Sequence, residues 1–333
     1  MSFTDLIDLA AERFGSAVVA ANDEFFAPKD ALLLPTAPVW VEGKYTERGK
    51  WMDGWETRRR REAGHDWCII RLGAPGIVRG VVVDTSWFTG NFPPECSLDG
   101  CSLNGVASAE QLMTDSTPWR ELLPRSPLEG NRRNEIAVRP GPRVTHLRLN
   151  IFPDGGVARL RVHGDVVPEP ARLSAAAGAV DLSAAENGGF VVLCSDMHYG
   201  HRQNMIMPGR STFMGDGWET KRRRGPGHEW SIVRLAAPGR IDRVEIDTDH
   251  YKGNAPGSFS LDGCDTAGAT LDPAEVDSRP WISILARTPL QPHSRHILAA
   301  EGPATTAFTH ARLNIFPDGG IARLRLFGTP RSR

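Results

Sequence analysis

The chain has little of what marks several common protein classes. Its 333 residues include only five cysteines (Cys68, Cys96, Cys101, Cys194 and Cys264), an odd number with no Cys-x-x-Cys spacing. That argues against a zinc ribbon or a full disulfide framework and fits a reducing cytoplasm. No apolar stretch approaches the ~18 residues that mark a membrane-spanning helix, and the N-terminal region shows no basic segment followed by an apolar run. A soluble protein without an export signal is expected. An excess of one charge is also missing: 39 Lys+Arg against 40 Asp+Glu leave a formal net charge of −1. No overall field recruits nucleic acid or an anionic membrane, so anion binding has to be local. P-loop, GxGxxG, GxSxG and HExxH patterns are all absent, which removes the common nucleotide-binding, serine-hydrolase and zinc-hydrolase scaffolds.

What is present is a duplication. The string Asp-Gly-Trp-Glu-Thr-Arg-Arg-Arg at residues 53–60 returns as Asp-Gly-Trp-Glu-Thr-Lys-Arg-Arg at 216–223, an offset of 163 positions (Trp218 minus Trp55). Further pairs follow at nearly the same offset: residues 65–72 with 228–235, 90–93 with 253–256, 97–101 with 260–264, and 146–156 with 310–320. Self-similarity on this scale means two copies of one domain-sized unit. The division expected is an N-terminal helix or extension over 1–20, a first repeat over 21–165, a linker over 166–189 and a second repeat over 190–333. The linker rests on an Ala/Ser/Gly-rich run with little patterning.

Within each unit the period is that of strands. Residues 4–14 are the exception: Phe3, Ile7, Ala11 and Phe14 recur at helical spacing and Gly15 supplies a stop, which predicts a short amphipathic helix. Residues 67–72 and 77–84 are β-rich runs separated by Gly-Ala-Pro-Gly. In residues 146–151 Leu147, Leu149 and Ile151 alternate with His146, Arg148 and Asn150, and after a Pro-Asp-Gly-Gly turn Ala158, Leu160 and Val162 alternate with Arg159 and Arg161. Residues 146–162 therefore predict a hairpin with the apolar members inward and the polar members outward. With 34 Gly and 25 Pro among many short strands, the fold class expected is all-β: two tandem antiparallel β-sandwich (jelly-roll) domains preceded by a short N-terminal helix.

Shared apolar positions need only packing to explain them, whereas recurring acids, bases and amides point to a network or a ligand site, because a buried charge is costly unless paired. The first repeat offers Asp53, Glu56, Arg58, Arg59, His65, Asp84, Asn91 and Asn150; the second offers Asp216, Glu219, His228, Asp247 and Asn254. The basic run at 58–61 reads alone as a solvated face, and a single histidine as a structural hydrogen-bonding group. Cys68 is replaced by Ser231 in the other copy, which weakens a nucleophilic role.

Residues 53–57, 67–72 and 77–84 carry a pattern that resembles the galactose-binding, discoidin-type jelly roll. More specifically, Asn-Asp-Glu-Phe-Phe-Ala-Pro at 22–28, Gly-Lys-Trp-Met-Asp-Gly-Trp-Glu-Thr-Arg-Arg at 49–59, Gly-His-Asp-Trp at 64–67, Phe-Thr-Gly-Asn at 88–91 and Ile-Phe-Pro-Asp-Gly-Gly-Ile-Ala-Arg-Leu-Arg at 315–325 closely resemble allantoicase, over nearly the full chain and in its tandem arrangement. The resemblance implies hydrolysis of allantoate to ureidoglycolate and urea, a step in purine breakdown. Such a substrate offers one carboxylate for an arginine and two ureido groups whose N–H donors suit Asp, Glu or Asn. The departing urea needs a proton donor and the incoming water a base. Under that implication Glu56 or Asp53 is the base, His65 the donor, Arg58 or Arg59 with Asn91 and Asn150 position the substrate, and Asp84 orients a partner. The second repeat departs where residues 25–26 (Phe-Phe) become 198–199 (His-Tyr) and Arg58 becomes Lys221. One active copy, two sites and a composite site all remain open. Jelly rolls of this type often hold a structural calcium near the Asp-Gly turn, where Asp53 or Asp216 could supply oxygen ligands. A divalent ion, Mn²⁺ or Ca²⁺, is an option, and no residue is assigned to it. The competing class is a non-catalytic jelly-roll module for a small anionic or carbohydrate ligand. Homo-oligomerisation is expected from the general habit of metabolic enzymes.

Overall fold

In the computed structural model, residues 2–331 are described except 104, 106, 175–177 and 304. The chain divides into two compact units, residues 1–167 and 168–333. In the first unit the strands are β1 (Ile7–Asp8), β2 (Ala17–Ala21), β3 (Tyr45–Thr46), β4 (Gly49–Lys50), β5 (Trp55–Glu56), β6 (Asp66–Asp84), β7 (Glu95–Cys101), β8 (Arg120–Pro127), β9 (Arg133–Ala137), β10 (Val144–Phe152), β11 (Gly156–Val157) and β12 (Arg159–Val166), with one helical turn, α1 (Ala109–Leu112). The second unit repeats the plan with β13 (Val180–Asp181), β14 (Phe190–Cys194), β15 (Trp218–Glu219), β16 (Glu229–Asp247), β17 (Ser258–Cys264), β18 (Ile282–Pro289), β19 (Arg295–Ala299), β20 (Phe308–Phe316), β21 (Gly320–Ile321) and β22 (Arg323–Pro330). Pairing is antiparallel, and each unit has an eight-stranded sheet whose main path is β1-β12-β6-β10-β7-β8 or its counterpart, with β2 and β9 also paired to β6. The all-β, tandem jelly-roll expectation holds.

The organising element is β6. The two runs expected on either side of residues 73–76 form one continuous strand of 19 residues. Its first half pairs with β2 and β10, its second half with β9 and β12. Around residues 73–76 β10 hands over to β12 on the same strand. The hairpin expected over 146–162 is corrected for the same reason. β10 and β12 do not pair with each other; both pair with β6, and β11 between them pairs with β5.

The predicted helix at 4–14 is replaced by two 3-10 turns (Phe3–Asp5 and Glu12–Phe14) around β1. Ile7 is buried because β1 extends the sheet through β12, pairing with Gly164, so the apolar spacing serves a strand edge and its turns. Residues 1–20 therefore belong to the first unit. The expected linker over 166–189 is likewise corrected: β13 pairs with β22 as β1 does with β12. Residues 175–177 of that segment lie outside the described residues.

Leu147, Leu149, Ile151, Ala158, Leu160 and Val162 are buried as the alternation predicts. The polar partners are not all outward: His146, Asn150 and Arg159 are also buried. The segment around α1 explains the first two, since Leu112 packs with Ile69 and Cys101, flanked by Trp67, Leu103 and Trp119, and roofs that face of the sheet. Arg159 is buried because it has an acid to meet.

Candidate functional site

The Asp-Gly-Trp-Glu-Thr string sits where β5 meets β11. Trp55 is fully buried and its indole N–H donates to the Asp23 carbonyl at 2.8 Å; Trp218 does the same to Asp196 at 2.8 Å. The tryptophan is thus a core anchor that presents its neighbours. Thr57 locks the turn after β10, exchanging bonds with Gly155: Thr57 N–H donates to the Gly155 carbonyl at 3.1 Å and Gly155 N–H to Thr57 Oγ1 at 3.1 Å. Gly156 has no room for a side chain, since a Cβ would meet the Phe88 ring at 1.9 Å.

Glu56, half-buried in β5, pairs with Gly156 at the end of this 152–156 turn. Asn91 Nδ2 donates to Glu56 Oε1 at 2.7 Å, and the Asn91 carbonyl accepts from Gly156 N–H at 2.7 Å, so the amide is fixed by the turn it serves. Burial raises the Glu56 carboxyl above its ordinary range, and the Asn91 bond pulls it partly back. Arg58 is exposed and donates from Nε to Asp23 at 2.6 Å, while Arg59 is exposed. Arg60 turns inward to Asp66 at 2.7 Å.

His65 packs on Phe152, the last residue of β10, ring centres 4.7 Å apart. Two residues earlier on β10, Asn150 donates to Asp99 at 2.9 Å and to Ser97 Oγ at 3.0 Å. Arg148 grips the same Asp99 oxygen through Nε at 3.1 Å and Nη2 at 2.9 Å and lies over the Trp119 ring. The register explains this cluster: Asn150 faces Ser97 and Trp67 on its two neighbours, and Arg148 faces Asp99 and Ile69.

Two predicted residues lie apart from both groups. Asp53 is held by Arg159, whose Nη2 reaches both carboxylate oxygens at 3.0 and 2.9 Å, and Val39 N–H donates to it at 2.8 Å. Asp84, at the far end of β6, pairs in register with Arg159 and caps Ser86 N–H at 2.8 Å. In the second repeat Asn254 donates to Glu219 at 2.6 Å, Arg323 pairs with Asp216 at 2.9 Å, and His228 Nε2 lies 3.3 Å from Asn314 Oδ1. Asp247 caps Asp249 N–H at 2.8 Å, and burial raises its carboxyl. Sequence reasoning missed Asp23, Asp99 and Trp119. Asp99 was detectable, because Ser97, Asp99 and Cys101 alternate on one face of a repeated string.

Guanidinium groups hold both oxygens of Asp53 and Oδ2 of Asp216, which does not suit a calcium ion there, and among the described residues no group of three or more His, Cys, Asp or Glu side chains could hold a metal. Burial pushes the Cys68 thiol far above its usual range, which leaves it unreactive.

A family model described as "Allantoicase repeat" matches residues 7–167 and again 180–331. The chain belongs to the allantoicase family. Relatives are similar along almost their whole length: a probable allantoicase of Pseudomonas aeruginosa is 48% identical over 330 residues, covering 99% of this chain and 97% of the relative. A probable allantoicase of Burkholderia mallei is 46% identical, covering 97% and 94%. The crystal structure of allantoicase from Saccharomyces cerevisiae matches with a TM-score of 0.79 at 32% identity, covering 97% of this chain and 92% of that one. The allantoicase repeats begin at residues 7 and 180, at or beside β1 and β13, as the corrected boundaries require.

Proposed function

We infer that this chain is an allantoicase, a hydrolase that splits allantoate into ureidoglycolate and urea. The observation that carries the reading is near full-length identity of 48% to a relative of that name, with both repeats matched. A carbohydrate-binding role is less well supported: Trp55 and Trp218 are fully buried, so neither forms the open aromatic platform such modules use.

The reaction breaks the bond between a ureido nitrogen and the tetrahedral carbon. The electron pair and one proton go to the departing urea nitrogen; water supplies oxygen to the carbon and gives up a proton. Glu56 suits the base better than Asp53. Its carboxylate is half-buried, raised in basicity by desolvation and held by an amide, whereas both oxygens of Asp53 are engaged by Arg159. His65 is assigned as donor to the urea nitrogen, held by its packing on Phe152. Asn91 orients Glu56, Asn150 presents an amide to the substrate, and Arg59 is assigned as an exposed cation of the run for the substrate carboxylate, Arg58 being partnered by Asp23. Asp84 accepts from Ser86 N–H and is not assigned to the chemistry.

A cytoplasmic location and a homo-oligomeric state belong to the same reading, the first supported by five unpaired cysteines, the second checked by light scattering. Among the described residues no helix is long and apolar enough to cross a membrane. The test of function is direct: the purified chain incubated with allantoate is expected to release one urea per molecule consumed, and the absence of any urea overturns the reading.

A further inference from the structure

The roofed face of the first repeat contains an unsatisfied acceptor. Asn150 is 4% exposed. A carboxylate only accepts, so the amide must turn its NH₂ toward Asp99, which fixes Oδ1 on the opposite side. That oxygen is buried without a hydrogen-bond partner among the described residues, an unusual state for a buried polar atom and one that asks for a missing donor.

The second repeat supplies the donor itself. Asn314 makes the same two bonds, to Asp262 at 2.8 Å and Ser260 at 3.1 Å, and its Oδ1 meets His228 Nε2 at 3.3 Å. His228 packs on Phe316 at 4.7 Å just as His65 packs on Phe152, so the scaffold is shared and the closing bond is not. The arginine differs too. Trp119 donates to the carbonyl of Leu112, seven residues back, whereas Trp281 donates to that of Val276, five residues back. The shorter connection places Asp277 against Arg312 at 3.0 Å. The Arg312 side chain is 11% exposed, against 34% for Arg148.

We propose that the first repeat alone carries the ureido-binding site of this chain, with Asn150 Oδ1 accepting a ureido N–H beside His65 and Arg148, and that in the second repeat the equivalent Asn314 oxygen is taken by that repeat's own His228. This rests on the allantoate reading. A ureido group fits because it is planar and rich in N–H donors, the one function the Asn150 oxygen lacks.

The test is calorimetric titration of the full chain with hydantoate, which has one carboxylate and one ureido group but no second ureido nitrogen on its carbon. One hydantoate per chain is expected. Asn150→Ala is expected to weaken binding by about tenfold or more, the loss of one buried hydrogen bond, whereas Asn314→Ala keeps both affinity and stoichiometry. Two hydantoates per chain, no binding, unchanged affinity in Asn150→Ala, or loss in Asn314→Ala each overturn the proposal. If Asn150→Ala melts early, because Ser97 and Asp99 lose their bridge, the wild-type stoichiometry and the Asn314→Ala titration still decide. Urea release by the wild type, measured alongside, separates the two levels: turnover with a contrary titration sinks only this inference, and no turnover sinks the function itself.

Discussion

Asn91 Nδ2 donates to Glu56 Oε1 at 2.7 Å, and the second repeat reproduces the bond between Asn254 and Glu219 at 2.6 Å. Burial raises the Glu56 carboxyl above the ordinary glutamate value of 4.5, and this bond opposes the rise by favouring the ionised form. A base has to be ionised, so kcat/KM should fall on the acid side at a pH above 4.5. Removing the amide in Asn91→Ala removes the lowering influence, and the acid limb of the profile should move to higher pH. A limb that stays in place would mean that Glu56 is not the titrating base.

The Asp53–Arg159 pair predicts a loss of stability. Both side chains are largely buried, at 12% and 3% exposed. Asp53→Ala leaves a buried guanidinium uncompensated, a defect that typically costs about 3–5 kcal/mol. Denaturant melts should show the drop, while turnover per folded molecule changes far less. A variant as stable as wild type but inactive would return Asp53 to the chemistry.

His310 predicts sensitivity to acid. Burial, reinforced by Arg234 and Arg279, lowers it from 6.5 to about 4, and burial with Arg71 lowers His146 in the same direction. Their folded pKa values lie below the unfolded ones, so between 6.5 and about 4 the unfolded chain binds more protons. Stability should therefore fall as pH drops through that window. His310→Gln should flatten the fall in chemical melts; an unchanged slope would show that other groups control it.

Metal removal makes a separate prediction. Because Arg159 and Arg323 occupy the carboxylates next to the Asp-Gly turns, dialysis against a chelator should leave the melting temperature and urea release unchanged. Loss of activity restored by added Mn²⁺ or Ca²⁺ would show a site that these residues do not form.

Much of the fold was legible because repetition and period-two alternation are local signals. The buried faces of β10 and β12 followed from Leu147, Leu149, Ile151, Leu160 and Val162 alone. What failed depended on distant partners. Nothing near residues 146–162 reveals that both strands pair with β6, and nothing near Asn150 reveals that Ser97 and Asp99 of β7 meet it on a buried face. Ile7 and Phe14 have helical spacing, but β12 offers an edge and the edge wins. At the site, the acids and amides were found by their recurrence. Their division into an Arg159-bound Asp53, an Asn91-bound Glu56 and an Asp99-bound Asn150 is a matter of three-dimensional pairing, which sequence order does not carry.

The most direct test compares urea release from allantoate by wild-type and Glu56→Gln protein at equal folded concentration. The variant keeps the size of the side chain and loses only the base. Wild type should release one urea per allantoate, and the variant should be slower by roughly a hundredfold or more, the usual contribution of a positioned base. Equal rates in the two proteins would contradict the account.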